Sequence, residues 1–475
     1  MAPYEAYKVE WERTAGDWRD ITSYVEHLEL VRVRASGSDT SEPSTGTLTL
    51  NNADHRFPPG NTTSPEYPYW RQARRIRCRE TIGNRSFDTC LMWTQPPEVE
   101  DWVASGDQTI TVPLVDTLSR LESARTFVST LAEHIRYNSN NVLKIYYPFG
   151  DPAVPFRDIS GNNQTPVTPV STGLNQNSFI TAYSGQAAIV PNGGEPLPGD
   201  DLVPVRIALT QSTWSVVTNP VIASSWKLRP TLRPPIALPD NQVATMVGWT
   251  NRYAGPSGGL NNMLGLVVDE TGPTGQAGVS MDRANDEGAP PLGNMEADVF
   301  GGALTASIVS TAYGTWDRWQ PVALRYGANP KVFELWVDDA VFTAAPAGTS
   351  PATSTISAVY PVNVDWGGDL AHVQVYVGPP SAWDHDDFLT QRQMGLYGLA
   401  RQRTDERIRL IAKYAGLTDA DLLLDVGVAV MGQASLAGQR PGALMRAAAD
   451  TERGRLFVDG AGRVVFHNRT RTYNI

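Results

Sequence analysis

The sequence has little of several things that define common protein classes. Among its 475 residues are only two cysteines, Cys78 and Cys90, which excludes a disulfide-dense scaffold and a zinc finger built on cysteine ligands. If the strands that carry them pair, a disulfide is geometrically possible, but two buried thiols are the simpler expectation. No apolar run approaches the roughly 18 residues of a membrane-spanning helix, and the N-terminus lacks the basic and apolar regions of a secretory signal. The sequence therefore predicts a soluble chain that is not exported by a Sec signal.

Positive charge is scarce as well. Lys and Arg total 39 against 50 Asp and Glu, a formal net charge of −11. This balance disfavours general binding to nucleic acid, because neutralising phosphates requires a positive surface. Only 19% of the residues are charged, while 41 are Gly and 35 are Pro, which is typical of a folded protein rich in strands and turns. The length favours about three domains.

Histidine spacing gives no sign of metal chemistry. The six histidines are His27, His55, His134, His372, His385 and His467. None of them is spaced as in a zinc site or a metalloprotease helix. Metal or protease chemistry is therefore unsupported. We assign no catalytic, cofactor-binding or metal-ligating residue and expect that the protein is not an enzyme.

Short strands dominate residues 1 to about 133. The predicted strands are Tyr7 to Trp11, Leu28 to Arg34, Gly46 to Leu50, Arg74 to Thr81, Arg85 to Trp93 and Gln108 to Leu114. Leu48 and Leu50 alternate with threonines, which is the period of a half-buried strand. Strands at this spacing favour a barrel or a sandwich.

Between Asn138 and about Thr390, short apolar strands alternate with segments rich in Asn, Gly, Pro, Ser and Thr. Val337 to Ala340 is predicted as a hairpin turn, and Ala371 to Val377 as a returning strand. After Ser381 the pattern becomes helical. The predicted elements there are a helix from Arg403 to Tyr414 that stops at Gly416, a strand from Leu422 to Met431, a helix from Gly442 to Glu452 and a hairpin that turns at Asp459 to Gly462.

Two blocks resemble sequences of the baseplate-hub or minor tail proteins of long-tailed phages. The first is "TLTLNNADHRFPPGN" from Thr47, followed by the strand "RRIR" from Arg74, and the second is "AADTERG" from Ala448 with "GRVVF" from Gly462. The segments between them resemble a concanavalin-like or laminin-G-like jelly roll. They are "YYPFGDP" from Tyr146, "RDISGNN" from Arg157, "TWDRWQPVALRY" from Thr315, "VFELWVDDAVF" from Val332 and "GDLAHVQVYVGPPSAW" from Gly368. Jelly rolls of this kind often have Asp-Gly at the hairpin where this sequence has Asp338-Asp339-Ala340.

The resemblance implies a mainly β protein in three parts. Residues 1–135 form a tail-tube-like β-barrel and the start of a second hub domain, residues 138–395 an inserted β-sandwich of jelly-roll type, and residues 396–475 a small α+β segment that continues the hub scaffold. Insertion is favoured because a jelly roll has neighbouring termini and can sit in a loop of its host. A plain string of three domains is the alternative, and the chain could continue past residue 475.

The function implied by the resemblance is that of a virion structural protein. It would form a hub ring continuous with the tail tube at the distal end of the tail, as a trimer or, alternatively, a hexamer. Its partners would be other tail proteins, such as the distal tail protein, the tape measure and tail fibres. The jelly roll would contact host cell-wall glycans or neighbouring tail proteins. The alternative is a carbohydrate-binding or glycan-hydrolysing jelly-roll protein.

Hydrolase chemistry would need two carboxylates facing across a sugar. Glu296 and Asp298 lie on one face of a predicted strand, but Gly301 stands where a second Glu would be expected, so solvated surface acids are the favoured interpretation. Sugars also stack on aromatic faces. Seven tryptophans fall in the insertion, each with core filling as the more plausible role: Trp214, Trp226, Trp249, Trp316, Trp319, Trp336 and Trp366.

Two charged groups remain. Asp384 and Asp386 flank His385 and could bind a cation, but a helix cap is favoured because acids there precede a helical stretch. Calcium in the jelly roll is implied as possible by the resemblance alone.

A series of arginines could line a DNA-conducting lumen, pair with acids of a neighbouring subunit, or form a solvated strand face, and pairing with a neighbouring subunit is favoured. It consists of Arg71, Arg74, Arg75, Arg77 and Arg79.

Overall fold

A computed structural model describes most of the chain. The described residues are 6–31, 44–57, 61–70, 73–83, 85–95, 109–139, 141–167, 169–172, 187–190, 192, 194–209, 225–228, 231–251, 264–270, 276–283, 295–300, 304–309, 318–351, 353–360 and 368–473. The fold is mainly β with antiparallel sheets and few helices, as the sequence predicts. The chain divides into two compact units, residues 1–127 with 399–475 and residues 128–398. No helix in the described ranges is long and apolar enough to cross a membrane.

The first unit begins with a seven-stranded antiparallel sheet in the order β2-β1-β5-β6-β7-β4-β3. Its strands are β1 (Ala6–Thr14), β2 (Asp17–Asp20), β3 (Val25–Val31), β4 (Thr45–Asn51), β5 (Arg75–Ile82), β6 (Arg85–Thr94) and β7 (Thr109–Val115). Each predicted N-terminal strand is present, although residues 32–34 lie outside the described part. Helix α1 (Thr117–Ser123) follows, capped by the Asp116 side chain, which accepts from the Ser119 amide.

The sheet wraps around a single core. Val9 and Trp11 of β1 share one cluster with Leu48 and Leu50 of β4, which are also fully buried. The loop after β4 adds Phe57 and Trp70 to this cluster, with ring centroids 4.9 Å apart. The Asn52 side chain fixes the loop by accepting from the Phe57 amide at 3.0 Å. The first hub-like block, which begins at Thr47, therefore contributes to strand β4 and supplies Phe57 to the core.

The two cysteines lie directly opposite each other on β5 and β6. Both are buried and neither forms a disulfide. The expectation of buried thiols is confirmed.

The second unit contains two facing sheets. The first has the order β10-β11-β24-β14-β19-β20-β21, with β8 also paired to β24, and the second has the order β13-β23-β15-β16-β17-β18-β22. In chain order the unit contains α2 (Thr130–Tyr137), β8 (Leu143–Tyr147), β9 (Pro169–Thr172), β10 (Ala187–Val190), β11 (Val205–Leu209), β12 (Ser225–Leu228), β13 (Thr231–Leu238), β14 (Val243–Asn251), β15 (Leu264–Glu270), β16 (Gln276–Arg283), β17 (Met295–Phe300), β18 (Leu304–Val309), β19 (Gln320–Ala328), β20 (Lys331–Val337), β21 (Ala340–Ala344), β22 (Ala347–Gly348), β23 (Ser354–Tyr360), β24 (Gly368–Gly378) and α3 (His385–Tyr397). Strands β9 and β12 pair separately.

The first sheet is buried on both faces. Met246 and Leu324 belong to the core shared by the two sheets. Val247 and Trp249 belong to a second cluster, which includes residues of α2 and α3. This double burial explains why β14 is buried along its whole length and shows no polar alternation.

Two predicted turns of the second unit, at Asp158 and at Asp338, are present. Asp158, in the "RDISGNN" segment, accepts from the Tyr146 amide at 2.8 Å and from the Gln164 amide at 3.0 Å. Asp338 turns the hairpin between β20 and β21 with a positive φ of 56°. The hairpin and the returning strand β24 are confirmed.

The first unit is completed by the last residues of the chain. Its elements are α4 (Thr404–Tyr414), β25 (Leu422–Leu424), α5 (Pro441–Glu452), β26 (Arg455–Val458), β27 (Val464–His467) and α6 (Arg469–Tyr473). The predicted helices and the β26–β27 hairpin are present. The strand predicted from Leu422 to Met431 is wrong beyond Leu424, because the amides of Gly427 and Val428 bond to the side chains of Asp405 and Glu452 instead of to a strand.

Contacts join the two chain segments of this unit. The Thr117 hydroxyl donates to the Gly462 carbonyl at 2.8 Å. The Phe127 amide donates to the Gln439 carbonyl at 2.9 Å. Residues 399–475 therefore pack on the segment that leads out of the N-terminal sheet.

Candidate functional site

The outer face of the second sheet of the sandwich carries small polar groups. On β17, Ala297 and Val299 are buried in the sandwich core, and Asp298 between them points the other way and is partly exposed. Asp298 lies directly opposite Ser307 of β18. Thr305 and Ser307 are both exposed. This strip offers hydroxyl and carboxylate groups for hydrogen bonding on a sheet with a packed back face.

The two acids considered for hydrolysis lie on this sheet. Glu296 and Asp298 are two residues apart on β17, as the sequence predicts. Gly301 lies outside the described residues. Glu296 is directly opposite Asp282 of β16, a neighbour that the sequence alone could not identify because it depends on strand register. The strand register thus brings a third acidic position to this region.

Three tryptophans of the insertion are core residues and form no sugar platform. Trp249, Trp319 and Trp336 are at most 5% exposed, so their predicted role as core residues is confirmed. Trp226 lies on β12. Trp214, Trp316 and Trp366 lie outside the described residues.

The acidic segment before α3 is a helix cap. The Asp384 side chain accepts from the amides of Asp386 and Asp387, and the Asp387 side chain accepts from the Asp384 amide at 3.1 Å. Burial raises the pKa of Asp387 above its usual value, and the neighbouring Asp384 and Asp386 carboxylates also raise it. The favoured prediction of a cap is confirmed. Within the described ranges, no group of three or more His, Cys, Asp or Glu residues could hold a metal ion.

The arginines of β5 pair within their own chain. Arg75 binds the Glu12 carboxylate, Arg77 Nε lies 2.6 Å from Glu10, and Arg79 Nε lies 2.9 Å from Asp88. Arg74 Nε donates to the Tyr69 carbonyl at 3.0 Å, and Arg71 lies outside the described residues. The favoured expectation of pairing with a neighbouring subunit is therefore corrected for these three: β1 and β6 flank β5 and supply the carboxylates.

Tryptophan rings pack against Arg77 of β5 and against Arg120 of α1. The Arg77 guanidinium lies 4.1 Å from the centre of the Trp18 ring, and the Arg120 guanidinium lies 3.9 Å from the centre of the Trp93 ring. Burial lowers the pKa of Arg120. These stacked cations pack onto the outer surface of the sheet.

A buried polar network was missed by sequence reasoning. Tyr146, Asp200 and His372 are all at most 5% exposed. His372 Nδ1 lies 2.7 Å from the Tyr146 hydroxyl, and its Nε2 lies 2.9 Å from Asp200 Oδ2. Although these residue types occur in active sites, burial keeps substrates away from this group, and we assign it a structural role.

Two other histidines are placed by packing. His134 is buried on α2, where burial lowers its pKa to about 4. The His385 ring stacks on Phe388, with ring centroids 5.9 Å apart, and meets the Trp336 ring edge-on at 5.3 Å. Neither arrangement resembles a metal or catalytic site.

Comparison with known proteins adds little. No protein-family model matches the chain, and no curated protein is significantly similar to it. A domain of an extracellular arabinanase from Geobacillus stearothermophilus aligns at 12% identity over 52% of this chain and 97% of its own, with a TM-score of 0.28. Botulinum neurotoxin type C aligns at 9% identity over 56% of this chain and 54% of its own, with a TM-score of 0.32. Trypanosoma rangeli sialidase aligns at 12% identity over 80% of this chain and 57% of its own, with a TM-score of 0.30. Such low scores carry no argument about function.

Proposed function

We propose that the protein is a non-enzymatic structural protein of a phage tail tip. The first unit would be a hub-type scaffold, and the jelly roll would contact a host cell-wall glycan or another tail protein. One observation carries the proposal: residues 1–127 and 399–475 form one compact unit. Both hub-like sequence blocks fall in these two segments, and the segments like a jelly roll fall in the other unit.

The resemblance falls on residues that build the fold of this scaffold. Phe57 fills its core, and Asn52 holds the loop that carries Phe57. Gly462 approaches Leu91 closely at a positive φ of 78°, where a side chain would be strained. The blocks therefore support a shared architecture, and the proposed tail location follows from that likeness.

Assembly would occur through a closed ring of repeated contacts, with a trimer favoured and a hexamer as the alternative. The decisive measurement is electron microscopy of purified virions with an antibody against this chain. Labelling at the distal end of the tail, with threefold or sixfold symmetry there, is expected. Absence of the chain from virions would contradict the tail-tip proposal.

Glycan contact is proposed for the strip formed by Asp298, Thr305 and Ser307. These residues offer polar groups on strands whose opposite face is packed in the sandwich core, which suits a recognition surface that changes little on binding. We expect host cell-wall fractions to bind the unmodified chain and not to bind the double variant Asp298→Ala, Ser307→Ala. Thr343→Ala, at an exposed position of β21, is the matched control and should bind normally. Equal retention of both variants would remove this strip as the contact.

Glycan hydrolysis is the competing function, and the register of Glu296 opposite Asp282 is the observation that favours it. If the protein only binds, incubation with cell-wall glycans should release no sugar. If sugar is released and Glu296→Gln abolishes the release, the protein is a hydrolase and the non-enzymatic proposal fails. Release that survives Glu296→Gln would eliminate Glu296 as its catalyst.

A further inference from the structure

The C-terminal part of the first unit contains a groove of about 340 Å³. Helices α4 and α5 and the segment 430–436 line it. Most of its walls are apolar, among them Ile411, Met431, Leu436, Leu444 and Ala447. A mainly apolar concavity of this size with one placed charge is typical of ligand sites.

Arg407 is the one charged residue among those that line the groove. It is 4% exposed. Its Nη2 donates to the carbonyl oxygens of Leu399 and Gly432, which fixes the guanidinium in place. Its Nε is buried and has no hydrogen-bond partner in the part of the chain that the structure describes.

No described carboxylate neutralises Arg407. Two buried acids of the same unit bond to backbone amides: Asp405 accepts from the Gly427 amide, and Glu452 accepts from the Val428 and Ala429 amides. Burial alone accounts for the lowered pKa of Arg407, and an arginine remains charged despite such a shift. A buried cation without a counter-ion is unfavourable, so a carboxylate that enters the groove gains a strong electrostatic partner.

We propose that this groove binds a peptide segment of a partner protein that presents a glutamate or aspartate side chain between aliphatic residues. The carboxylate would accept from Arg407 Nε, and the aliphatic side chains would pack on the apolar walls. Charge complementarity selects the carboxylate, and the composition of the walls selects its neighbours. This inference does not depend on the proposed glycan contact or on a tail location.

The test uses two matched probes, acetyl-Leu-Glu-Leu-amide and acetyl-Leu-Gln-Leu-amide, titrated into the full chain and followed by saturation-transfer NMR. The Glu peptide is expected to bind about tenfold more tightly, because a hydrogen bond between charged groups contributes more than a neutral one. Equal binding of the two peptides, or no binding of either, would overturn the proposal.

Three variants locate the site. Ala447 is exposed on α5 and lines the groove, so Ala447→Phe should fill the groove without disturbing the core and abolish binding of the Glu peptide. Ala443→Phe, one turn away on the same helix and outside the lining, should bind as the unmodified chain does. Arg407→Met should remove the preference for Glu over Gln. Undiminished binding by Ala447→Phe would place the peptide elsewhere and refute the proposal, even if Arg407→Met fails to fold.

Discussion

His372 Nε2 lies 2.9 Å from Asp200 Oδ2, and neither side chain has exposed surface. The other Asp200 oxygen accepts from the Leu131 amide of α2 at 3.0 Å, and the other His372 nitrogen meets the Tyr146 hydroxyl of β8. The pair therefore links a loop, a helix and two strands of the second unit. Polar groups buried this deeply are stabilising only while every partner is present.

Removal of Asp200 should destabilise the second unit. Asp200→Ala leaves the His372 ring and the Leu131 amide without their acceptor, and we expect the free energy of unfolding to fall by about 3 kcal/mol. Asp200→Asn keeps an acceptor and should lose less. Urea unfolding followed by tryptophan fluorescence measures both. Asp240→Ala, at an exposed loop position, is the control, and a loss no larger than the control's would show that the network is dispensable.

His134 should make stability depend on pH. Burial lowers its folded-state pKa from 6.5 to about 4, so the unfolded chain binds more protons between these values. Stability should therefore fall as the pH drops from about 6.5 to about 4, by roughly 3 kcal/mol at most. Unfolding midpoints measured across this range for the unmodified chain and His134→Gln should converge at low pH. Parallel curves would contradict the assignment.

Asp200 acts in a lower pH window. Burial would raise its pKa, but hydrogen bonds and the charge interaction from His372, together with the Leu131 amide and the Ser129 hydroxyl, outweigh burial and hold the pKa below its usual value. Its stabilising contribution is present above the unfolded pKa near 4 and disappears as the pH falls through the folded pKa. The two groups thus affect separate parts of the acid unfolding curve.

Asp384 should act as a helix cap and not as a cation ligand. Asp384→Ala is expected to lose about 1 kcal/mol of stability because the first turn of α3 loses its acceptor, whereas Asp384→Asn should lose much less. Calorimetry with calcium and with a chelator should give the same melting temperature. A rise with calcium that Asp384→Ala removes would restore the cation-site interpretation.

The Glu10–Arg77 pair should stabilise a single chain. Both side chains are under 15% exposed, and Glu10→Gln is expected to cost about 2 kcal/mol. The Lys8–Asp20 pair is about half exposed, so Lys8→Gln should cost less than about 1 kcal/mol. Denaturation at several protein concentrations checks the origin of the effect. A cost for Glu10→Gln that grows with concentration would indicate that the arginines work across a subunit interface.

Local patterns predicted individual elements well. Alternation at Leu48 and Leu50 predicted a half-buried strand, and Asp384 predicted the start of a helix, because both signals lie within a few residues of the structure that they specify. The strand predicted beyond Leu424 failed because side chains of α4 and α5 accept from the amides of residues 427–429, and those contacts are distant in sequence.

Sequence alone determined the mainly β composition, the N-terminal strands, the C-terminal helices α4 and α5 and the burial of Trp249, Trp319 and Trp336, since these depend on periodicity and on the cost of exposing apolar groups. Only the tertiary structure decided which groups meet. Strand register placed Asp282 opposite Glu296 and Glu10 beside Arg77, and chain packing brought Asp200 to His372 and left Arg407 without a described carboxylate partner. Such pairings depend on the folded path of the whole chain, and no local pattern encodes that path.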